Sequence, residues 1–141
     1  PGHHTTFLFN YAGRPWRTQE LNRQIQTTMY TNSPEGLCGN EDCGQMSAWY
    51  VFSALGFYPV NTCDLKYQFG SPIVTNARIE IAPGKYFTIK APHASDENKY
   101  IREVSLNGNP LDRSYITWEE IIEGGTLEFI MGDKPVKSLF K

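Results

Sequence analysis

Apolar residues in the first sixty positions recur with a helical period. Leu21, Ile25 and Met29 stand at i, i+4 and i+8, which marks one apolar face of a helix over about 15–30. Pro15, after Gly13-Arg14, sits at its expected first helical position. Asn32-Ser33-Pro34-Glu35-Gly36 breaks that helix and opens a polar loop through Asn40. A second helix is expected to start near Asp42 and run through Met46, Trp49, Val51, Phe52 and Leu55, with Gly56 as its stop and Pro59 beyond. Its apolar residues occupy nearly every face, so the pattern predicts burial among other helices. Two helices cannot cover it. The expectation is therefore a piece of a larger helical domain, with Trp49 and Phe52 exposed in its absence.

From about Tyr67 the period changes to two. Ile79/Ile81, Phe87/Ile89, Val104/Leu106 and Leu127/Phe129 alternate with polar neighbours. Turn clusters separate them at Pro83-Gly84, Asn107-Gly108-Asn109-Pro110 and Gly124-Gly125. Short strands at this spacing predict an antiparallel β-sandwich, and Trp118-Glu119-Glu120-Ile121-Ile122 a helical turn within it. The fold class is α+β, with helices over 1–62, a sandwich over 63–141 and a boundary near 60–68.

Composition narrows the function. Of 141 residues, 40% are apolar and 20% charged, enough for a packed core and against wholesale disorder. Net charge is −2 with the signs interspersed, which disfavours nucleic acid and anionic membrane as partners. No apolar run approaches the ~20 residues of a spanning helix. Cys38, Cys43 and Cys63 lack the spacing of a zinc cage or a disulfide framework, and are expected as small buried hydrophobes.

The chemistry concentrates in the loop 36–45. Glu41 and Asp42 sit between glycines at the mouth of the second helix, where the helix dipole keeps a carboxylate ionised. Such an acid can act as a general base on water or bind a hard cation. Asp42 followed three residues later by Gln45 also matches a capping box, so cap, base and ion ligand all stay open. The loop lacks the alternating acids of an EF-hand and the Lys-Ser/Thr of a phosphate loop. His3 and His4 are adjacent and diverge on most backbones, so only one is expected to face a site.

Taken whole, Gly39-Asn40-Glu41-Asp42-Cys43-Gly44-Gln45-Met46-Ser47-Ala48-Trp49-Tyr50-Val51-Phe52-Ser53-Ala54-Leu55-Gly56-Phe57-Tyr58-Pro59 resembles the signature of glycoside hydrolase family 92. Phe7-Leu8-Phe9-Asn10-Tyr11-Ala12-Gly13-Arg14-Pro15-Trp16, Tyr67-Gln68-Phe69-Gly70-Ser71-Pro72 and Leu106-Asn107-Gly108 fit it too. The resemblance implies an inverting, exo-acting α-mannosidase that hydrolyses α-mannosidic linkages, α-1,2 foremost, of mannose-containing glycans. It implies an (α/α)₆ barrel flanked by β-sandwich domains, a calcium ion, and a bacterial periplasmic or cell-surface location. It places the general acid upstream of Pro1, so that this chain alone is expected to be inactive. It gives the base to Asp42, with Glu41 as second candidate. Asn40 is implied to contact calcium or sugar, and His3, from a segment beside the ion, is implied as a further substrate or calcium contact. The competing expectation is a non-catalytic β-sandwich that binds carbohydrate or serves structure.

Overall fold

The computed structural model describes residues 2–140. A 3₁₀ turn (His3–Phe7) leads into α1 (Leu8–Tyr11), α2 (Pro15–Thr28) and α3 (Gln45–Leu55). Strands β1 (Phe57–Tyr58), β2 (Lys66–Phe69), β3 (Asn76–Ala82), β4 (Lys85–Lys90), β5 (Tyr100–Leu106), β6 (Asn109–Pro110) and β7 (Tyr115–Thr117) follow, then α4 (Trp118–Ile122) and β8 (Gly125–Gly132). The class is α+β, helices first and sheets after.

The strands form a three-stranded antiparallel sheet in the order β1-β2-β7 and a five-stranded sheet in the order β3-β4-β8-β5-β6. The period-two residues lie where alternation puts them: Phe87, Ile89, Leu127 and Phe129 are fully buried, and Phe69 meets Phe129 edge-on at 5.3 Å. One pairing departs from the all-antiparallel expectation. β4 runs parallel to β8, Phe87 opposite Gly125, because the chain leaves the sheet through β7 and α4 before returning. The expected turn at 118–122 is α4, closed by a capping box between Thr117 and Glu120.

Helix α2 turns the expected stripe aside. Beyond Pro15 at its start, the residues it buries are Thr18, Gln19, Asn22, Arg23 and Gln26, whereas Leu21 and Ile25 are half-buried and Met29 is exposed. Its polar face docks on the sandwich through directed bonds. Gln19 Oε1 accepts the Ile101 amide at 3.0 Å, and Arg23 donates to the carbonyls of Pro72 at 2.7 Å and of Ser95. In front of α2, Asn10 Nδ2 donates to the Phe69 carbonyl at 2.9 Å. The joint is so close that a Cβ on Gly70 would stand 2.6 Å from Asn22 Nδ2. Gln19→Ala is expected to lower stability by about 1–3 kcal/mol, because the Ile101 amide then stays buried and unpaired. Exposed Gln24→Ala on the same helix should change it by under about 0.5 kcal/mol. Urea unfolding of the two variants checks the difference, and equal midpoints would show that the seam is not held by these bonds.

Helix α3 is less enclosed than its composition suggests. Trp49, expected at the surface, is 0% exposed beneath His3 and Tyr30, while Val51 on the far side is 58% exposed. Phe52 is half-buried among Phe57, Tyr58 and Tyr67. Gly56, at φ 102°, ends the helix as expected; a Cβ there would press on Pro72 at 3.0 Å and Phe129 at 3.2 Å. The three cysteines are exposed rather than buried, since each lies in a loop and not on a packed face.

Candidate functional site

The loop from Tyr30 to Gly44 is built to present side chains at the start of α3. An antiparallel bridge between Tyr30 and Leu37 closes its base, and the Thr31 amide donates to the Gly36 carbonyl at 2.9 Å. Beyond Asn40 the backbone enters left-handed space for three residues, at Asp42 (φ 49°), Cys43 (φ 58°) and Gly44 (φ 85°). A right-handed helix cannot begin there, so α3 starts at Gln45, later than the hydrophobic pattern predicts. Gly44 is its N-cap and makes no side-chain cap bond; the Asp42–Gln45 capping box does not form.

Glu41 takes over the capping. Its Oε1 accepts the Ser47 amide at 2.9 Å and its Oε2 accepts the Ser47 hydroxyl at 2.8 Å. Ser47 is the third helical residue, one of the amides a helix leaves without an internal partner. Both oxygens of Glu41 are thus engaged on the helix side of the loop.

Asp42 faces elsewhere. With His3, Cys38, Gly39, Asn40 and Met46 it lines a cavity of about 270 Å³. Asn40 and Asp42 are exposed, and His3 is half-buried. The sequence-derived site therefore divides: His3, Asn40 and Asp42 come together, Glu41 does not line the cavity, and exposed His4 lies outside it. Pro1, the start of the motif that suggested His3, lies outside the described residues.

The wall behind His3 is aromatic. Its ring meets Trp49 edge-on at 4.9 Å, and Tyr30 stacks on Trp49 at 5.8 Å with 14° between planes. The Tyr30 hydroxyl donates to the Met46 carbonyl at 2.9 Å and lies 3.4 Å from His3 Nε2. Burial pulls the His3 pKa below its ordinary value, which favours the neutral ring. Burial, reinforced by nearby Cys38 and Glu41, pushes Tyr30 up to about 12, so its phenol keeps the proton it donates. Sequence reasoning missed Tyr30 and Trp49 as parts of the site, because in a helical pattern they read as ordinary packing.

Larger cavities exist; the most charged, of about 480 Å³, is lined by Arg17, Glu20, Arg23, Asp96 and Lys99 and contains none of the residues of the loop before α3. One of about 520 Å³ on the far side of the Tyr30–Leu37 turn has no carboxylate in its lining. Another, of about 540 Å³ between α3 and the sandwich, is apolar apart from Glu80. Among the described residues no group of three or more His, Cys, Asp or Glu is set to hold a metal. Calcium takes six to eight oxygen ligands. The cavity's side chains offer the Asn40 amide and the Asp42 carboxylate, and His3 offers nitrogen, so these residues do not by themselves fit that ion.

The sequence model of the glycosyl hydrolase family 92 catalytic domain matches residues 1–133. A family 92 α-mannosidase of Bacteroides thetaiotaomicron is 40% identical with a TM-score of 0.91, over 97% of this chain and 18% of that one. The same enzyme has been solved in complex with mannoimidazole, with a TM-score of 0.92. A family 92 inverting mannosidase from that organism is 39% identical with a TM-score of 0.90, over 96% of this chain and 18% of that one. An uncharacterized secreted glycosidase of Arthroderma benhamiae is 31% identical over 135 residues, 94% of this chain and 17% of that protein. The chain thus spans about a fifth of the length of these relatives.

Proposed function

Since the chain belongs to glycoside hydrolase family 92, we propose that it forms the C-terminal part of an inverting, exo-acting α-mannosidase, with 1–62 closing the (α/α)₆ barrel and 63–141 its terminal sandwich. The observation that carries the reading is the division of the two acids. Glu41 is spent on the helix end, and Asp42 lines a cavity shared with an amide and an imidazole.

In that role the Asp42 carboxylate takes a proton from water while the water oxygen bonds to the anomeric carbon. The glycosidic bond breaks on the opposite face, and its oxygen takes a proton from a carboxylic acid supplied by the rest of the enzyme. Inversion sets that acid and the base ~6.5–9.5 Å apart, leaving room for the water. Asn40 and His3 hydrogen-bond sugar hydroxyls. Calcium, which the family resemblance implies, would take most of its ligands from outside this chain, with Asn40 able to supply one oxygen.

The substrates are α-mannosidic linkages of mannose-containing glycans, α-1,2 foremost. The enzyme works outside the cytoplasm, in a bacterial periplasm or at the cell surface; a relative described as a secreted glycosidase supports export, and the Bacteroides relatives support a bacterial source. No helix among the described residues is long and apolar enough to cross a membrane. The test is the anomer first released. Digestion of α-1,2-mannobiose by the complete enzyme, followed by proton NMR, is expected to show β-mannose before mutarotation. Initial α-mannose would rule out a single displacement with Asp42 as base.

A further inference from the structure

Tyr30 lines none of the candidate cavity yet contacts two of the residues that do, His3 and Met46. Its backbone bridges Leu37, next to Cys38; its hydroxyl holds the first turn of α3 through Met46; and its ring and hydroxyl flank His3. Trp49 and Tyr50 pack on the same ring, at 5.8 Å and 4.8 Å, and fix its plane.

A phenol has one proton to give, and Tyr30 gives it to the Met46 carbonyl at 2.9 Å. Its 3.4 Å contact with His3 Nε2 is attractive only if Nε2 carries the hydrogen and the phenol oxygen accepts it. That assigns the tautomer: Nε2 protonated, Nδ1 bare. His3 Nδ1 is buried and has no partner among the described residues, so an acceptor is left unused in a residue that lines the cavity. A bare imidazole nitrogen suits a donor such as a sugar hydroxyl and not a hard cation.

We propose that Tyr30 is a positioning residue that fixes His3 in the Nε2–H tautomer, so that Nδ1 accepts a hydroxyl of the mannose held against Asp42. The inference rests on the function proposed above and deepens it: it assigns His3 to sugar recognition rather than to the metal.

Two measurements test it. In long-range proton–nitrogen spectra of the histidine-labelled 141-residue chain, His3 is expected to show a protonated Nε2 whose hydrogen exchanges slowly with solvent. Tyr30→Phe keeps the ring packing and removes the acceptor, so that exchange should quicken about ten-fold, as expected when a bond near 1.4 kcal/mol is lost. In the complete enzyme the same variant should raise KM for α-mannobiose about five-fold and leave kcat within about two-fold, the mark of a contact made equally in ground and transition states. Tyr50→Phe, which touches only the ring, should change neither. A His3 protonated on Nδ1, or a Tyr30→Phe chain with wild-type exchange and KM, overturns the proposal. Asp42→Asn is read separately: if it abolishes turnover while Tyr30→Phe changes nothing, only the role of Tyr30 falls.

Discussion

Asp42→Asn is expected to lower turnover of the complete enzyme by about 10²–10⁴-fold, the usual contribution of a general base. Stability should shift by less than about 0.5 kcal/mol. The structure separates these two outcomes. Asp42 is not the cap of α3, because Gly44 holds that position and Glu41 satisfies the Ser47 amide. Its φ of 49° is a conformation asparagine adopts more readily than most residues, so the loop survives the exchange. What is lost is the ability to take a proton from water. Glu41→Gln is the informative companion. Its amide oxygen can still accept from Ser47, but the charge at the helix end is gone, which costs about 0.3–1 kcal/mol of stability. Mannose release and thermal melts of the two variants read both quantities. Wild-type turnover in Asp42→Asn would take the base away from this residue, and a Glu41→Gln enzyme that folds normally but is dead would move it to Glu41.

The second large effect concerns the chain alone. At any concentration the 141-residue chain should release no mannose from α-mannobiose above the uncatalysed rate, with calcium or with a chelator. Inversion needs an acid and a base on opposite faces of one sugar ring. Glu41 and Asp42 are sequence neighbours on one loop, and Glu41 is held against Ser47, so the pair cannot stand that way. Calorimetry should find calcium binding weaker than about 1 mM, since Asn40 and Asp42 leave most of the shell unfilled. Calcium-dependent release at the rate of a full-length enzyme would place both groups within these residues and refute the assignment of the acid to the rest of the protein.

Some of this was readable from the chain. The alternation at Phe87/Ile89 and Leu127/Phe129 reports burial directly, because a strand has only two faces. The parallel match of β4 with β8 left no local trace: it joins residues 87–90 to 125–128, and strand alternation does not encode a neighbour's direction. Helix periodicity showed that α2 has unlike faces but not which one packs. Leu21, Ile25 and Met29 looked like the contact, yet hydrogen-bonding geometry favoured Gln19 and Arg23. In the loop, the grouping of His3, Asn40 and Asp42 came through the family resemblance. The spacing rule for the cap failed because three left-handed residues delay the helix and let an acid six positions upstream of Ser47 reach back to it.

The joint between helices and sheets has an evolutionary side. Gln19, Arg23 and Asn10 address the amide of Ile101 and the carbonyls of Pro72, Ser95 and Phe69, main-chain groups that every amino acid supplies except that a proline at 101 would lack the N–H. A mutation that changes a side chain at those four places keeps the atom being gripped, provided the local backbone path holds. Apart from Gly70, where a Cβ would strike Asn22, the sheet half can therefore drift in sequence at the joint without compensating changes on the helix. A sandwich swapped in from a relative should seat on these helices as long as it keeps that glycine and its loops trace the same course.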